Sequence, residues 1–171
     1  MLAIDSVRHF ARIHIYSRSA ENRKQFIERM QKEVRAELVE AESGEDCVRN
    51  ADVICTITAS KEPVLLGRWL KPGCHINAAG TNWANKRELD EEALKRCDLI
   101  CVDQLEQSKM ESGDLIAALN EDQWKRVLEL SSVVRNSVSR DSREQITLFK
   151  SNGIAAEDVA AAHYVLNSPS L

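Results

Sequence analysis

Short apolar runs recur along this chain and alternate with segments whose apolar residues follow helical spacing. Residues 53–57 show no polar alternation, which predicts a strand buried on both faces of a sheet. Similar runs predict further strands at residues 12–16, 36–39, 75–79 and 98–102. Strands that alternate with helices through short connections predict an α/β fold with a doubly wound, mostly parallel sheet.

Helices are predicted between these strands. Residues 20–34 place Phe26, Ile27 and Met30 at helical spacing, and Ser19 is a suitable N-cap for them. Residues 1–10 have the pattern of a helix end, and further helices are predicted at residues 43–50, 90–95 and 155–166. A chain of 171 residues can bury a substantial core, so residues 1–171 are expected to form one domain.

Composition and charge narrow the possible functions. The formal net charge of −4 gives no electrostatic reason to expect a nucleic-acid partner. No apolar run approaches the roughly 18 residues of a membrane span, and the N-terminus lacks a signal-peptide pattern, so we expect no membrane partner.

The five cysteines form no CxxC motif, which indicates reduced, buried thiols in a cytoplasmic protein. The four histidines lack the spacing of metal ligands, so no metal site is expected.

Polar loops follow two of the predicted strands at their carboxyl ends. The first run is residues 52–65 (DVICTITASKEPVL), and the second is residues 71–83 (KPGCHINAAGTNW). In an open α/β sheet the ligand binds in the crevice outside the carboxyl ends of the strands. These two loops are therefore the first candidates for a binding site.

Both runs, together with residues 86–90 (KRELD), closely resemble the ornithine cyclodeaminase/mu-crystallin family of nicotinamide-dependent proteins. Residues 146–161 (ITLFKSNGIAAEDVAA) resemble the same family in the same order, so the resemblance covers nearly the whole chain. It implies an NAD(P)-binding Rossmann-like domain and hydride transfer on a small amino acid or cyclic imine. Imine reductase, amino-acid dehydrogenase and ornithine cyclodeaminase are the activities it implies, in a homo-oligomer.

The resemblance also implies cofactor contacts in the loops after the strands, at Ser17, Arg18, Ser19, Thr56, Thr58, Ala59, Asn77, Lys86 and Ser151. An acidic residue after the second strand of the family fold would accept a hydrogen bond from the 2′-hydroxyl of NAD. Arg18 and Ser19 occupy that place instead and suit the 2′-phosphate of NADP, so NADP is favoured over NAD.

Asn82 and Lys86 are the implied catalytic residues. In ornithine cyclodeaminases an aspartate that acts as acid and base lies four residues before a lysine near the cofactor. Lys86 matches that lysine, but Asn82 takes the place of the aspartate. An asparagine amide cannot act as an acid or a base at useful pH, so cyclisation of ornithine is not expected. Hydride transfer remains compatible with the pair.

The glycine-rich turn that binds phosphates in this family is not found in the sequence. Phosphates in this fold normally lie on a glycine-rich turn after the first strand, but the first glycine here is Gly44. We therefore expect an incomplete Rossmann-like domain that lacks the usual first strand, the glycine loop and the family's N-terminal substrate and dimerisation domain. Either residues 12–16 close up on residues 53–57, or another chain fills the gap.

The missing glycine loop leaves a second interpretation of the function open. The chain is then a truncated or degenerate Rossmann module that binds a dinucleotide or another small ligand weakly and does not catalyse a reaction. Weak cofactor binding and inactivity are the expectation for the isolated chain.

Overall fold

The computed structural model describes residues 1–168, which form two compact units. The first unit is Met1–Ala51, and the second begins at Asp52. Every strand pair in both units is parallel, and helices connect the strands along the chain. The predicted α/β class and the mostly parallel sheet are therefore confirmed.

The first unit contains two strands, β1 (Arg12–Ile15) and β2 (Glu37–Glu40), paired in register over four residues. Its helices are α1 (Leu2–Asp5), α2 (Ala20–Met30) and α3 (Gly44–Val48). The predicted N-cap of α2 is present, because the Ser19 hydroxyl accepts a hydrogen bond from the Asn22 N–H at 3.2 Å.

The second unit contains a sheet of five strands: β3 (Val53–Thr56), β4 (His75–Ala78), β5 (Cys97–Val102), β6 (Leu128–Glu129) and β7 (Ile146–Lys150). Their order is β3-β4-β7-β5-β6, so the last strand of the chain lies in the middle of the sheet. Ile54, Ile76, Leu148 and Val102 supply one buried apolar side chain from each of the four longer strands. Ile54, Ile76 and Leu148 lie side by side in one row across β3, β4 and β7, whereas Val102 of β5 pairs with Lys150.

Short helices connect these strands. They are a 3-10 helix (Gly67–Trp69), α4 (Glu91–Arg96), α5 (Leu105–Glu111), α6 (Gly113–Ala118), α7 (Glu121–Trp124), α8 (Leu130–Arg135) and α9 (Ala155–Asn167). Leu65, Leu89, Leu94 and Leu115 are almost completely buried and complete the core.

The first of the two alternatives for β1 and β3 is wrong within this chain, because β1 pairs with β2 in one sheet and β3 pairs with β4 in another. Filling of the gap by another chain stays a prediction. The expectation that β3 is buried on both faces is also wrong. Its side chains alternate, with Ile54 and Thr56 buried and Cys55 exposed, and Ile57 just beyond the strand is 79% exposed.

Helix α9 is exposed along its whole length. Its 13 residues include Val159, Tyr164 and Leu166, whose exposed fractions are 68%, 72% and 85%. Large apolar side chains at these positions lie in contact with water in a single chain. Within residues 1–168, no helix has both the length and the apolar character that crossing a membrane requires.

Candidate functional site

Four parallel strands of the second unit end level with one another. The pairing register aligns Thr56 with Ala78, Ala78 with Lys150, and Lys150 with Val102. We call these strand ends and the residues directly after them the carboxyl edge. In parallel α/β sheets this is the edge where ligands bind.

A buried carboxylate joins the ends of β3 and β4. Glu88 is completely buried, and its Oε1 accepts hydrogen bonds from the Thr58 N–H at 2.6 Å and from the Thr58 hydroxyl at 2.8 Å. Its Oε2 accepts from the Thr56 hydroxyl at 3.1 Å and from the Gly80 N–H at 2.9 Å. Both oxygens are therefore used in full, as an ionised carboxylate requires when it is removed from water.

Glycine is needed at two places where the main chain packs closely. A Cβ at Gly80 would collide with the main chain of Thr58 and with Oε1 of Glu88. A Cβ at Gly113 would collide with the carbonyl oxygens of Trp83 and Lys86, because the loop of residues 83–86 lies directly against the start of α6. Only glycine lets this loop and the carboxyl edge pack so tightly.

A buried lysine lies at the end of β7. Lys150 is completely buried, and its ammonium donates to the carbonyl oxygens of Thr81 at 2.5 Å, Ser151 at 3.1 Å and Ala78 at 3.4 Å. The same ammonium lies 3.7 Å from Oδ2 of Asp114, which is also buried. Asp114 in turn accepts from the N–H groups of Glu88 and Leu89 at 2.7 and 2.9 Å.

Burial changes the proton affinities of this pair. It lowers the pKa of Lys150, while the nearby carboxylates of Asp114, Glu88 and Asp103 oppose the shift. Burial raises the pKa of Asp114, and two main-chain N–H donors and the Lys150 ammonium act in the opposite direction. Each charge therefore stabilises the ionised form of the other.

A third buried carboxylate fixes the loop after β7. Asp103 follows β5 directly, and its Oδ2 accepts from the Ser151 hydroxyl at 3.0 Å and from the N–H groups of Asn152 and Gly153 at 2.8 and 2.7 Å. The Asn152 carbonyl then accepts a hydrogen bond of 3.4 Å from the Asn82 side chain. The loops after β4, β5 and β7 are thus tied together by hydrogen bonds.

The structure brings several of the predicted site residues to this edge. The hydroxyls of Thr56 and Thr58 point inward to Glu88, while Thr58 and Ala59 are exposed in the loop that follows β3. Ser151 donates to Asp103, and Asn82 is exposed beside the loop after β7.

Lys86 lies in the close-packed loop described above. Its ammonium is 5.4 Å from the centre of the Trp83 ring, within the range of a cation–π contact. Because Trp83 is exposed, this contact leaves the Lys86 charge near the surface of the loop.

Asn77 is not at the end of its strand. Its side chain lies on one face of the sheet, where its oxygen is 3.3 Å from a ring nitrogen of His75 and its nitrogen is 3.9 Å from the Cys55 sulfur. It lines a cavity of about 440 Å³ on that face, together with His75, Arg140 and Thr147. Asn77 is therefore separated from the group formed by Thr58, Asn82 and Ser151.

Ser17, Arg18 and Ser19 belong to the first unit, where they follow β1 and lead into α2. The Ser17 hydroxyl donates to the Ser19 carbonyl at 3.1 Å, and the Ser19 hydroxyl caps α2. Arg18 is exposed, and it takes part in none of the ion pairs found among residues 1–168. Its guanidinium can therefore bind an anion without breaking an existing ion pair.

Sequence reasoning did not predict the roles of the four buried charged residues Glu88, Asp103, Asp114 and Lys150. The role of Asp103 could have been suspected from the sequence, because Asp103 is a polar residue directly after a predicted strand. Glu88 and Lys150 lay in the blocks that carried the family resemblance but had no role there. Asp114 had no local signal at all, since its partners lie more than 20 residues away along the chain. Within residues 1–168, no cluster of three or more His, Cys, Asp or Glu residues could hold a metal ion.

Residues 1–170 match the model of the Ornithine cyclodeaminase/mu-crystallin family. This chain belongs to that family. Among its relatives, ketimine reductase mu-crystallin of Macropus fuliginosus is 39% identical over 159 residues, covering 93% of this chain and 48% of that protein. The chain thus spans about half the length of the curated relatives it matches first.

Solved structures agree with this assignment. Thermococcus litoralis Δ1-pyrroline-2-carboxylate reductase in complex with NADH and L-proline has a TM-score of 0.88 and 33% identity, covering 94% of this chain and 51% of that one. An archaeal alanine dehydrogenase dimer with bound NAD has a TM-score of 0.84 and 31% identity, covering 95% and 51%. The predicted family and Rossmann-like fold are confirmed, and these relatives are imine reductases and an amino-acid dehydrogenase, as the resemblance implied.

The buried Lys150–Asp114 pair yields a stability prediction. We expect Lys150→Met to lower the free energy of unfolding by about 3–5 kcal/mol, because it leaves Asp114 buried without its charge partner. Adding Asp114→Asn should recover part of that loss. Urea unfolding of the full chain, followed by circular dichroism, measures both effects.

Lys125→Met is the matched control, because Lys125 pairs with Asp122 on the surface with both side chains largely exposed. It should change the free energy of unfolding by less than about 1 kcal/mol. Equal effects of the two lysine substitutions would contradict the role given to the buried pair.

Proposed function

We propose that residues 1–171 form an NAD(P)-binding domain of an oxidoreductase that transfers hydride to or from a small amino acid or cyclic imine. The observation that carries this proposal is the carboxyl edge, where Thr58, Asn82 and Ser151 surround the level ends of parallel strands. Relatives that bind NAD or NADH share this fold over more than nine-tenths of this chain.

The residues at the edge fit the nicotinamide half of a dinucleotide. Thr58, Ala59 and Ala79 are small and exposed, so they leave the strand ends open to a flat ring. Ser151 offers a hydroxyl beside them, already oriented by Asp103. A bound nicotinamide would supply or accept the hydride, and the protein would supply orientation and electrostatics.

Arg18 and Ser19 support a preference for NADP. An exposed guanidinium that forms no ion pair among residues 1–168 lies next to the N-terminus of α2 and suits a phosphate, and the Ser19 hydroxyl can donate its proton while it caps the helix. No carboxylate stands among Ser17, Arg18 and Ser19 to accept from the 2′-hydroxyl of NAD.

Asn82 and Lys86 determine which reaction of the family is compatible with this chain. The Asn82 amide can orient a substrate by hydrogen bonds, but it cannot act as an acid or base. Lys86 contributes a positive charge near the surface of the same loop. This pair therefore favours reduction of an imine or oxidation of an amino acid over cyclisation of ornithine.

A second candidate function is weak binding of the dinucleotide without turnover. It follows from the same amide where the reaction also needs a proton from position 82, which Asn82 cannot supply. The two candidates are separated by an assay with NADPH and Δ1-pyrroline-2-carboxylate. Loss of the NADPH absorbance with formation of proline supports the oxidoreductase. Binding of NADPH with no proline formed supports the binding protein.

Cofactor choice gives the first prediction of this proposal. NADP should bind more tightly than NAD, and Arg18→Ala should weaken NADP binding by about tenfold or more, because a charge-assisted contact to the 2′-phosphate is lost. Arg29→Ala, at the other end of α2, is the control and should leave both affinities unchanged. Calorimetry that gives sub-micromolar affinity for NAD, unaffected by Arg18→Ala, would show the assignment to be wrong.

Ornithine gives the second prediction. The purified chain supplied with NAD should form neither proline nor ammonia from ornithine, because Asn82 cannot carry the proton transfers that this cyclisation needs. Both products are measured after prolonged incubation. Clear turnover that Lys86→Ala abolishes would refute the role proposed for Asn82.

Self-association is the third prediction. We propose a homo-oligomer, which is supported by the exposed apolar residues of α9, since large exposed apolar patches often form protein–protein interfaces. Sedimentation should detect species larger than a monomer, and Leu166→Glu should shift them towards the monomer. Met110→Glu, at an exposed position of α5, should not. A monomer alone at high micromolar concentration would count against the proposal.

A further inference from the structure

We propose that Glu88 is a positioning residue that gives the carboxyl edge the shape to which the nicotinamide half of a dinucleotide binds. This inference rests on the function proposed above. It gives a role to a residue that lies beneath the edge and touches no solvent.

The strand pairing itself does not reach the residues that must be held. The paired register of β3 and β4 ends at Thr56 and Ala78, and the last main-chain bond between them runs from the Ala79 N–H to the Thr56 carbonyl at 3.0 Å. Beyond it, the N–H groups of Thr58 and Gly80 donate to the Glu88 carboxylate. Glu88 thus keeps the two chain segments aligned for two residues past the end of the pairing.

The position of Glu88 is itself fixed by the main chain around it. Its carbonyl accepts from the N–H groups of Val64 and Leu65 at 2.8 and 2.9 Å, and its own N–H donates to Asp114 at 2.7 Å. These contacts hold the main chain on both sides of the residue, and its side chain is completely buried. The carboxylate therefore acts as a fixed anchor for Thr58 and Gly80.

Four donors occupy the two carboxylate oxygens, which leaves none of their acceptor capacity for a substrate. Glu88 therefore acts through the residues it holds. It holds the hydroxyls of Thr56 and Thr58 on the inner side of the edge. The exposed residues Thr58, Ala59 and Ala79 are small, and the Thr58 hydroxyl is already bound to Glu88, so this surface suits the face of a planar ring better than free hydroxyls would.

Glu88→Gln is the primary test, because it keeps the shape but replaces one acceptor oxygen with an amide that faces two donors. We expect hydrogen exchange at the Thr58 and Gly80 amides to become about tenfold faster or more. Exchange at the mid-strand amides of Ile54 and Ile76 should stay as in the unmodified chain. Affinity for nicotinamide mononucleotide should fall by about tenfold or more, since the surface is no longer held.

Adenosine 2′,5′-bisphosphate provides the readout that general destabilisation would not spare. Its affinity is assigned to Arg18 and Ser19, so Glu88→Gln should leave it unchanged. Asp90→Asn is the matched control, because Asp90 is a nearby carboxylate outside the carboxyl edge. It caps α4 through the Ala93 N–H and also accepts from the Gly67 N–H of the 3-10 helix. Asparagine keeps the oxygen that accepts both hydrogen bonds, so affinity for both fragments should stay unchanged.

Thr58→Val supplies a second variant in case Glu88→Gln does not fold. It removes one hydroxyl donor and keeps the anchor, so nicotinamide mononucleotide affinity should fall several-fold with the other fragment unaffected. A folded Glu88→Gln or Thr58→Val with unchanged edge exchange and unchanged affinity would overturn the inference about Glu88 alone. An unmodified chain that binds neither fragment would overturn the proposed function and this inference with it.

Discussion

Three carboxylates and one ammonium are buried at the carboxyl edge, and the arrangement of the loops depends on how these charges are satisfied. Lys150 is held by three carbonyl oxygens and by Asp114, while Glu88 and Asp103 each receive several hydrogen bonds from the ends of strands and loops. Removing an ion from water costs several kcal/mol unless partners replace the lost hydration. Each charge therefore forces nearby main-chain groups into one arrangement.

The exposed polar residues gain their orientation from this buried layer. Ser151 is held by Asp103, Thr58 by Glu88, and Asn82 by the carbonyl of Asn152, whose own N–H is bound to Asp103. A binding surface that is arranged before the ligand arrives loses less conformational freedom on binding. The edge is thus suited to orient a ligand, which is the main contribution that a protein makes to hydride transfer.

In the function proposed above, Asn82 separates the chemistry of this chain from that of the ornithine cyclodeaminases. An amide and a carboxylate have similar shapes, so the loop can keep its fold when one replaces the other. They differ in proton transfer, because an amide stays neutral and holds its protons at useful pH. Orientation of an imine survives this exchange, and acid–base steps at the same position do not. The family fold is therefore compatible with several activities, and single polar residues at the edge decide among them.

Local sequence patterns determined most of the individual elements. Ser19 predicted the start of α2, and the apolar runs predicted β1, β2, β4 and β5 to within a residue or two, because strand and cap preferences act between close neighbours. The blocks around Asn82 and Ser151 predicted the family. Only the tertiary structure decided that β7 lies between β4 and β5, that β1 and β3 belong to separate sheets, and that Glu88, Asp103, Asp114 and Lys150 are buried charges. These outcomes depend on pairing and hydrogen bonds between residues far apart along the chain, and no local pattern encodes them.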